Sequence, residues 1–146
     1  MQATIGPYKD DNTLRKEEIV IHDYDTWSMD HTLALIALPM LKQLKETKHG
    51  VPYIDYEDMP EHLQYIPRQY DQRAIGDLFN AWDDFENEFD HQIKVWDWMI
   101  DEMIWAMDQI AHQEEVDLDV WHSVEFNDRM SNALKLFGKY YRSLWD

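Results

Sequence analysis

Apolar side chains recur every three or four positions through much of the second half of the chain, and this is its strongest pattern. The positions concerned are Trp82, Phe85, Phe89, Ile93, Trp96, Ile100, Met103, Met107 and Ile110. Side chains at this spacing share one face of an α-helix, and no proline or glycine lies among them. The pattern predicts one helix over residues 75–111, roughly 55 Å long at about 1.5 Å per residue. A helix broken at residues 90–92 is the competing interpretation.

A second helix is predicted over residues 25–49. Asp25, Thr26 and Ser28 are possible N-cap residues, because their side chains can accept hydrogen bonds from first-turn amides. Gly50 supplies a C-terminal stop. Pro39 is expected to kink this helix. The apolar residues form two stripes, which predict a helix covered on two sides. These stripes are Leu33, Ile36, Ala37, Met40 and Leu44, and then Leu35, Leu38 and Leu41.

The last helix is predicted over residues 121–144, where apolar positions again recur every three or four residues. Two stretches lack this periodicity. Residues 1–23 read as an irregular arm, with a short strand at residues 18–22 left open, and residues 50–70 read as a proline-containing connection. The chain therefore predicts an all-α fold. It is a single domain, residues 1–146, forming a helical bundle of three to four helices with an irregular N-terminal arm.

Charge is distributed very unevenly along the chain, whose formal net charge is −17. Residues 51–128 contain three basic and 21 acidic side chains, whereas residues 129–146 contain four basic side chains and one acidic. This balance excludes direct binding to a nucleic-acid backbone, which requires clustered lysine and arginine. The longest apolar run, Leu33–Leu41, is too short to span a membrane. The absence of cysteine excludes disulfides and thiolate metal sites and fits a reducing cytoplasm.

Basic residues of the first and last predicted helices fall at helical spacing beside aromatic residues. They are Lys42, Lys45 and His49 in the first helix, and Lys135, Lys139 and Arg142, with Tyr140, in the last. If the two helices lie side by side, these residues form a positive groove that could hold a phosphate or a nucleotide. The alternative is that these residues are solvated and pair with the acidic middle of the chain.

Two tryptophans of the long predicted helix, Trp98 and Trp105, project among the carboxylates of its polar face. These carboxylates include Asp97, Asp101 and Glu102. Indoles on a polar face need a cover, which is another helix of the same chain, a partner protein or a ligand. The face is therefore a candidate interaction surface, with packing inside the chain as the alternative.

A metal-dependent phosphohydrolase is a further alternative, since helical enzymes of that type hold magnesium with carboxylates from two helices. Glu125 and Asp128 match the second of their two acidic elements, but no segment matches the first. The histidines form no His-x-x-x-His pair, and the glycines form no phosphate-binding loop. The sequence therefore predicts no catalytic residue, no metal site and no cofactor, and an enzyme is the less favoured reading.

Several longer strings of residues resemble a family of small proteins of tailed bacteriophages. The strings are Tyr24–Asp30, Leu38–Lys45, Thr47–Gly50, Trp96–Trp98, Asp101–Ala106, Leu136–Tyr141 and Ser143–Asp146. The resemblance is spread over residues 24–60 and 96–146 and covers roughly half of the chain. It implies a phage product that works in the cytoplasm of an infected bacterium or within a virion, and it implies no mechanism.

These patterns favour a phage-encoded, non-catalytic binding protein. Its expected partner is a host or defence protein bound through the acidic helical surface, or a nucleotide-like small molecule captured in the basic groove. A metal-dependent nucleotide phosphohydrolase and a structural component of the virion are the alternatives. We expect no association with membranes, and a homo-oligomer is left open.

Overall fold

The computed structural model of the chain describes residues 1–8, 15–64 and 78–145. Three main helices pack together, and a short two-stranded hairpin precedes them. The prediction of a helical bundle is confirmed. The main elements are β1 (Gln2–Tyr8), β2 (Arg15–Val20), α1 (Asp23–Trp27), α2 (Met29–Thr47), α3 (Leu78–Ala111), α4 (Leu118–Trp121) and α5 (Val124–Lys139). None of the helices in these ranges is long and apolar enough to cross a membrane.

The prediction of an irregular N-terminal arm is wrong, because β1 and β2 form an antiparallel hairpin; the short strand left open at residues 18–22 overlaps β2 at residues 18–20. Gln2 pairs with Val20 and Ile5 with Glu17, and the register becomes irregular between Ile5 and Tyr8. All six residues of β2 are exposed. A strand with no buried face needs no alternation of apolar and polar residues, so the pattern that normally identifies strands is missing here.

The helix predicted over residues 25–49 is divided into α1 and α2. The division lies at Ser28, whose φ of −123° and ψ of 66° interrupt the helix. The backbone amide of His22 donates a 2.8 Å hydrogen bond to the Asp25 carboxylate at the start of α1. The Thr32 hydroxyl donates to the Asp25 carbonyl at 3.1 Å, which ties the two helices together. Pro39 lies inside α2 without ending it.

The central helix is α3, which packs against both α2 and α5. It continues without a break through residues 90–92, and residues 75–77 of the predicted helix lie outside the described residues. Its Trp96, Met99, Ile100 and Met103 are almost completely buried. They meet Leu38 and Leu41 of α2, Leu136 of α5, and Ile54 and Met59 of the connection after α2.

The expectation that α2 is covered on two sides is wrong. Ala34, Leu38 and Leu41 are buried against the core, whereas Leu33 and Met40 are 53% and 66% exposed. A single neighbouring helix covers only one face, and α3 is the main helix against which α2 packs.

The helix predicted over residues 121–144 is also divided. A 3₁₀ turn at Gln113–Glu115 follows α3, then α4, α5 and another 3₁₀ turn at Tyr141–Ser143. Asp117 caps α4 by accepting a 2.8 Å hydrogen bond from the Asp119 amide. Ser123 caps α5 by accepting a 3.2 Å hydrogen bond from the Phe126 amide. Two N-caps six residues apart therefore start two helices.

Candidate functional site

The lysines of α2 lie along a row of carboxylates on α3. Lys45 donates to both oxygens of Asp101, at 2.5 and 2.7 Å. Lys48, directly after α2, forms an ion pair with Asp97, and the Nζ of Lys42 lies 4.0 Å from the Asp108 carboxylate. The ion pairs therefore join α2 to α3 alongside their apolar contact.

The lysines of α5 contact a different acidic segment, in the connection that follows α2. Lys135 donates to Asp58 at 3.1 Å. Lys139 forms ion pairs with Asp58, with Asp55 at 2.6 Å and with Glu57 at 3.7 Å. We call these three acids, the two lysines and Tyr140 the Asp58 cluster.

Tyr140 completes the Asp58 cluster from the last residue before the C-terminal 3₁₀ turn. Its hydroxyl donates to the Asp58 carboxylate at 2.9 Å and accepts from the backbone amide of Asp55 at 3.1 Å. Its ring packs edge-on against Trp96 at 5.9 Å. The Asp58 side chain, only 1% exposed, thus has three donors. The cluster fastens the connection to α5.

The residues predicted to form one basic groove are therefore divided between two places. The α2 lysines lie against α3, and the α5 lysines lie against residues 55–58. His49 is exposed just after α2. Arg142 is exposed in the C-terminal 3₁₀ turn. The ring of the exposed Trp145 lies so near Gly50 that a Cβ atom added there would be 3.7 Å from it. Pairing with the acidic middle was the alternative reading of these cations, and these contacts follow it.

The fold shifts the pKa values of three groups in the Asp58 cluster further from neutral pH. Burial by itself raises the pKa of Asp58, but hydrogen bonds from Lys139, Tyr140 and Lys135 outweigh it and lower that pKa below its ordinary value of 3.8. Hydrogen bonds to Asp55 and Asp58 raise the pKa of Lys139. Burial raises the pKa of Tyr140 to about 12. General acid–base catalysis works best with a pKa near the working pH, and none of these three groups offers one.

The Asp58 cluster also contains the strongest candidate metal ligands among the described residues. Oxygens of Asp55, Glu57 and Asp58 lie within 4.8 Å of one another. The ammonium group of Lys139 contacts all three carboxylates. A metal ion would have to displace this cation, so the arrangement is that of an internal ion-pair network.

The two tryptophans of the acidic α3 face are covered differently. Trp105 lies beneath the Arg129 guanidinium, 4.0 Å from its ring centroid, and packs edge-on against Phe126 at 5.3 Å. Trp98 is partly buried and packs against the main core. The cover over Trp105 therefore comes from α5 of the same chain.

Arg129 also pairs with the most buried carboxylate of this face. Its Nε and Nη2 donate to the two oxygens of Glu102 at 2.9 and 2.7 Å. These hydrogen bonds raise the pKa of Arg129. With Asp97 and Asp101 held by lysines of the α2 region, each of the three predicted surface carboxylates has a cation partner inside the chain.

Another group of acidic residues has no such partners among the residues that the structure describes. Residues 113–128 carry six carboxylates and no lysine or arginine, and in the described chain none of the six forms an ion pair with a basic side chain. We call this surface the acidic end. Its carboxylates, all exposed, belong to Glu114, Glu115, Asp117, Asp119, Glu125 and Asp128. Leu118, Val120 and Val124 lie among them and are 74%, 49% and 70% exposed.

Sequence reasoning missed the acidic end because, of its six acids, it singled out only Glu125 and Asp128, as possible metal ligands. The available signal was sixteen consecutive residues, 113–128, with six acids and no lysine or arginine.

Comparison of the chain with protein-family models, curated proteins and solved structures found no match.

Proposed function

We propose that the chain is a phage-encoded, non-catalytic binding protein that docks onto a basic surface of a host or defence protein through the acidic end. The observation that carries the proposal is the set of six exposed carboxylates that pair with no basic side chain among the described residues, interspersed along the chain with three exposed apolar side chains.

Unpaired carboxylates favour docking because a basic partner displaces no internal cation when it binds. On α3, by contrast, a partner would have to compete with Lys45 for Asp101 and with Arg129 for Glu102. Six like charges within sixteen consecutive residues also steer a basic protein during its approach.

The apolar residues of the acidic end supply what charge alone cannot. Leu118 and Val124 are the most exposed of them. Apolar side chains buried at the centre of an interface, inside a polar rim, commonly carry much of the binding energy. A mixed acidic and apolar surface therefore fits a basic protein with an apolar patch better than it fits a free polycation.

Capture of a nucleotide-like molecule receives less support from the same geometry. Lys45, Lys135 and Lys139 all contact carboxylates of the chain. An anionic ligand would have to break these pairs and would meet the carboxylates they leave behind.

A phosphohydrolase likewise receives little support. Within the described residues, Glu125 and Asp128 belong to no group of three potential ligands close enough to share a metal ion. The one such group, in the Asp58 cluster, is already in contact with an ammonium group.

The test begins with affinity purification from infected cells, followed by measurement of Kd between the purified partner and defined variants. The acidic-end variant carries Glu114→Gln, Glu115→Gln, Glu125→Gln and Asp128→Asn. A matched control carries Glu17→Gln, Glu18→Gln, Glu46→Gln and Asp90→Asn, which removes four exposed carboxylates elsewhere. We expect the acidic-end variant to weaken binding at least about tenfold, and the control to change it by much less.

Salt dependence supplies the second readout. Binding of the wild type should weaken as salt is added, and the acidic-end variant should lose most of this dependence. Equal Kd values for the two variants would show that only net charge matters, and the proposed docking surface would then be abandoned.

A further inference from the structure

One face of α2 carries a continuous apolar stripe that no other described element covers. Its members are Met29, Leu33, Ile36 and Met40, which are 57%, 53%, 38% and 66% exposed. Their spacing of four, three and four residues places them on one line along the helix. Single exposed apolar residues are ordinary, but a row of four along one helix marks an interaction surface. We call this row the α2 stripe.

The spacing of the α2 stripe is the same in both directions. In an antiparallel pair of α2 helices related by a two-fold axis, Met29 of one copy therefore lies opposite Met40 of the other. Leu33 lies opposite Ile36 in the same arrangement. A two-fold interface requires such a self-complementary surface.

Charge also favours a second copy over other partners at this face. The stripe contains no charged residue, and α2 as a whole carries two acids and two bases: Asp30, Glu46, Lys42 and Lys45. Residues 51–128 carry a large excess of acids instead. Two copies of this chain repel one another through their acidic parts, whereas the two α2 helices, which have no net charge, add no repulsion of their own.

The exposed area is that of a weak dimer. From the exposed fractions of the four stripe residues, each copy offers on the order of 400 Å². Two copies would bury about 800 Å², the size of a weak and transient contact between proteins.

We propose that two copies of the chain associate through antiparallel packing of their α2 stripes. This dimer does not depend on the proposed binding function, because the acidic end lies on other elements. The partner of the stripe is the chain itself, and a basic host protein has no charged group to engage there.

Sedimentation equilibrium over a wide concentration range tests the dimer. We expect the mass of the wild type to rise from 17.7 kDa towards twice that value as concentration increases. Leu33→Lys with Met40→Lys should raise the dimer Kd at least about tenfold, since it buries like charges in the interface. Leu118→Lys with Val124→Lys adds the same charge at exposed apolar sites of the acidic end, and this control should dimerise at least as well as the wild type.

A spin-label measurement keeps the proposal testable if the lysine variant folds poorly. The chain has no cysteine, so Ile36→Cys gives a unique labelling site near the proposed two-fold axis. A short distance between the labels of two copies is expected there, and a longer one for Val124→Cys. A wild type that stays monomeric at all concentrations, or a dimer without a short distance at residue 36, would overturn the proposal.

Discussion

The acids of the Asp58 cluster and those of the acidic end come from two short acidic stretches of the chain, yet they have opposite environments. In the first, α5 brings two lysines and a tyrosine onto Asp55, Glu57 and Asp58. In the second, six exposed carboxylates pair with no basic side chain in the part of the chain that the structure describes. The difference shows that the cations brought by the fold decide the role of an acidic segment. Its carboxylates either form ion pairs inside the chain or stay exposed, where a partner protein can bind them. Its own composition does not decide this.

The position of Arg129 makes the same point. Arg129 is adjacent in sequence to Asp128 of the acidic end, but its guanidinium contacts Glu102 and Trp105. The bidentate pair with the nearly buried Glu102 and the stacking on an indole together hold it there. The arginine nearest to the acidic end in the sequence is thus engaged by Glu102 and Trp105 instead.

The largest expected effect on stability comes from Asp58→Ala, which removes the central carboxylate of the Asp58 cluster. Removal of this buried carboxylate leaves the Tyr140 hydroxyl and two lysines without their shared acceptor. We expect the free energy of unfolding to fall by about 2–3 kcal/mol, measured by urea denaturation. The control is Glu57→Gln, whose side chain is 77% exposed, and it should change stability by less than about 0.5 kcal/mol. Equal effects of the two would mean that the cluster does not fasten the connection.

Tyr140→Phe removes one hydroxyl and keeps the ring, so its effect should be smaller. The lost hydrogen bonds to Asp58 and to the Asp55 amide predict a destabilisation of about 1–2 kcal/mol. Tyr141→Phe, at a residue that is 64% exposed, is the control and should be nearly neutral in the same urea titration.

Alkaline pH sharpens the test of Tyr140. Because the fold raises its pKa from 10.0 to about 12, it favours the neutral phenol. The stability from this shift is fully present below pH 10 and is lost as pH rises through about 12. Between pH 10 and about 12, the free energy of unfolding measured by urea titration should therefore fall less for Tyr140→Phe, which lacks this phenol, than for Tyr141→Phe, which keeps it. Identical pH profiles would contradict the assignment.

Arg129→Ala should have an effect of about 1 kcal/mol on the free energy of unfolding, because its side chain is partly exposed and solvent screens the pair. The variant uncovers Trp105, so tryptophan emission should also shift to longer wavelength. Arg142→Ala removes an exposed arginine in the C-terminal 3₁₀ turn and should leave the emission unchanged. An unshifted spectrum for Arg129→Ala would show that the guanidinium does not cover the indole.

The smallest effect is expected at the acidic end. The variant with Glu114→Gln, Glu115→Gln, Glu125→Gln and Asp128→Asn removes charges that have no ion-pair partner within residues 1–8, 15–64 and 78–145. Relief of repulsion should offset weaker helix-dipole interactions, so stability should change by no more than about 0.5 kcal/mol. A large destabilisation in urea would mean that these carboxylates are structural, and the contrast with the Asp58 cluster would disappear.

The local structure of α3 was predictable because its apolar spacing is long and uninterrupted. The choice between the two stripes of α2 was not, since Leu33, Ile36 and Met40 satisfy helical periodicity as well as Leu38 and Leu41 do. Only packing against α3 selects the stripe that becomes buried. The hairpin was anticipated only in part, by the short strand left open at residues 18–22, since all six residues of β2 are exposed and show no burial pattern.

The residues of the candidate site were predictable from the sequence, but their contacts were not. Residue types and helical spacing identified the lysines at 42, 45, 135 and 139 as two basic faces, but not the acids that each would meet. Those acids lie 56 and 77 residues away in the pairs Lys45–Asp101 and Lys135–Asp58. No local pattern encodes such a distance.

The sequence by itself determined the helical bundle, the continuity of α3 and the excess of acids in the middle of the chain, because periodicity and charge are local properties. Only the tertiary structure decided which acids are neutralised and which apolar stripe stays exposed. Both depend on which elements pack together, and that packing places residues distant in sequence within contact of one another.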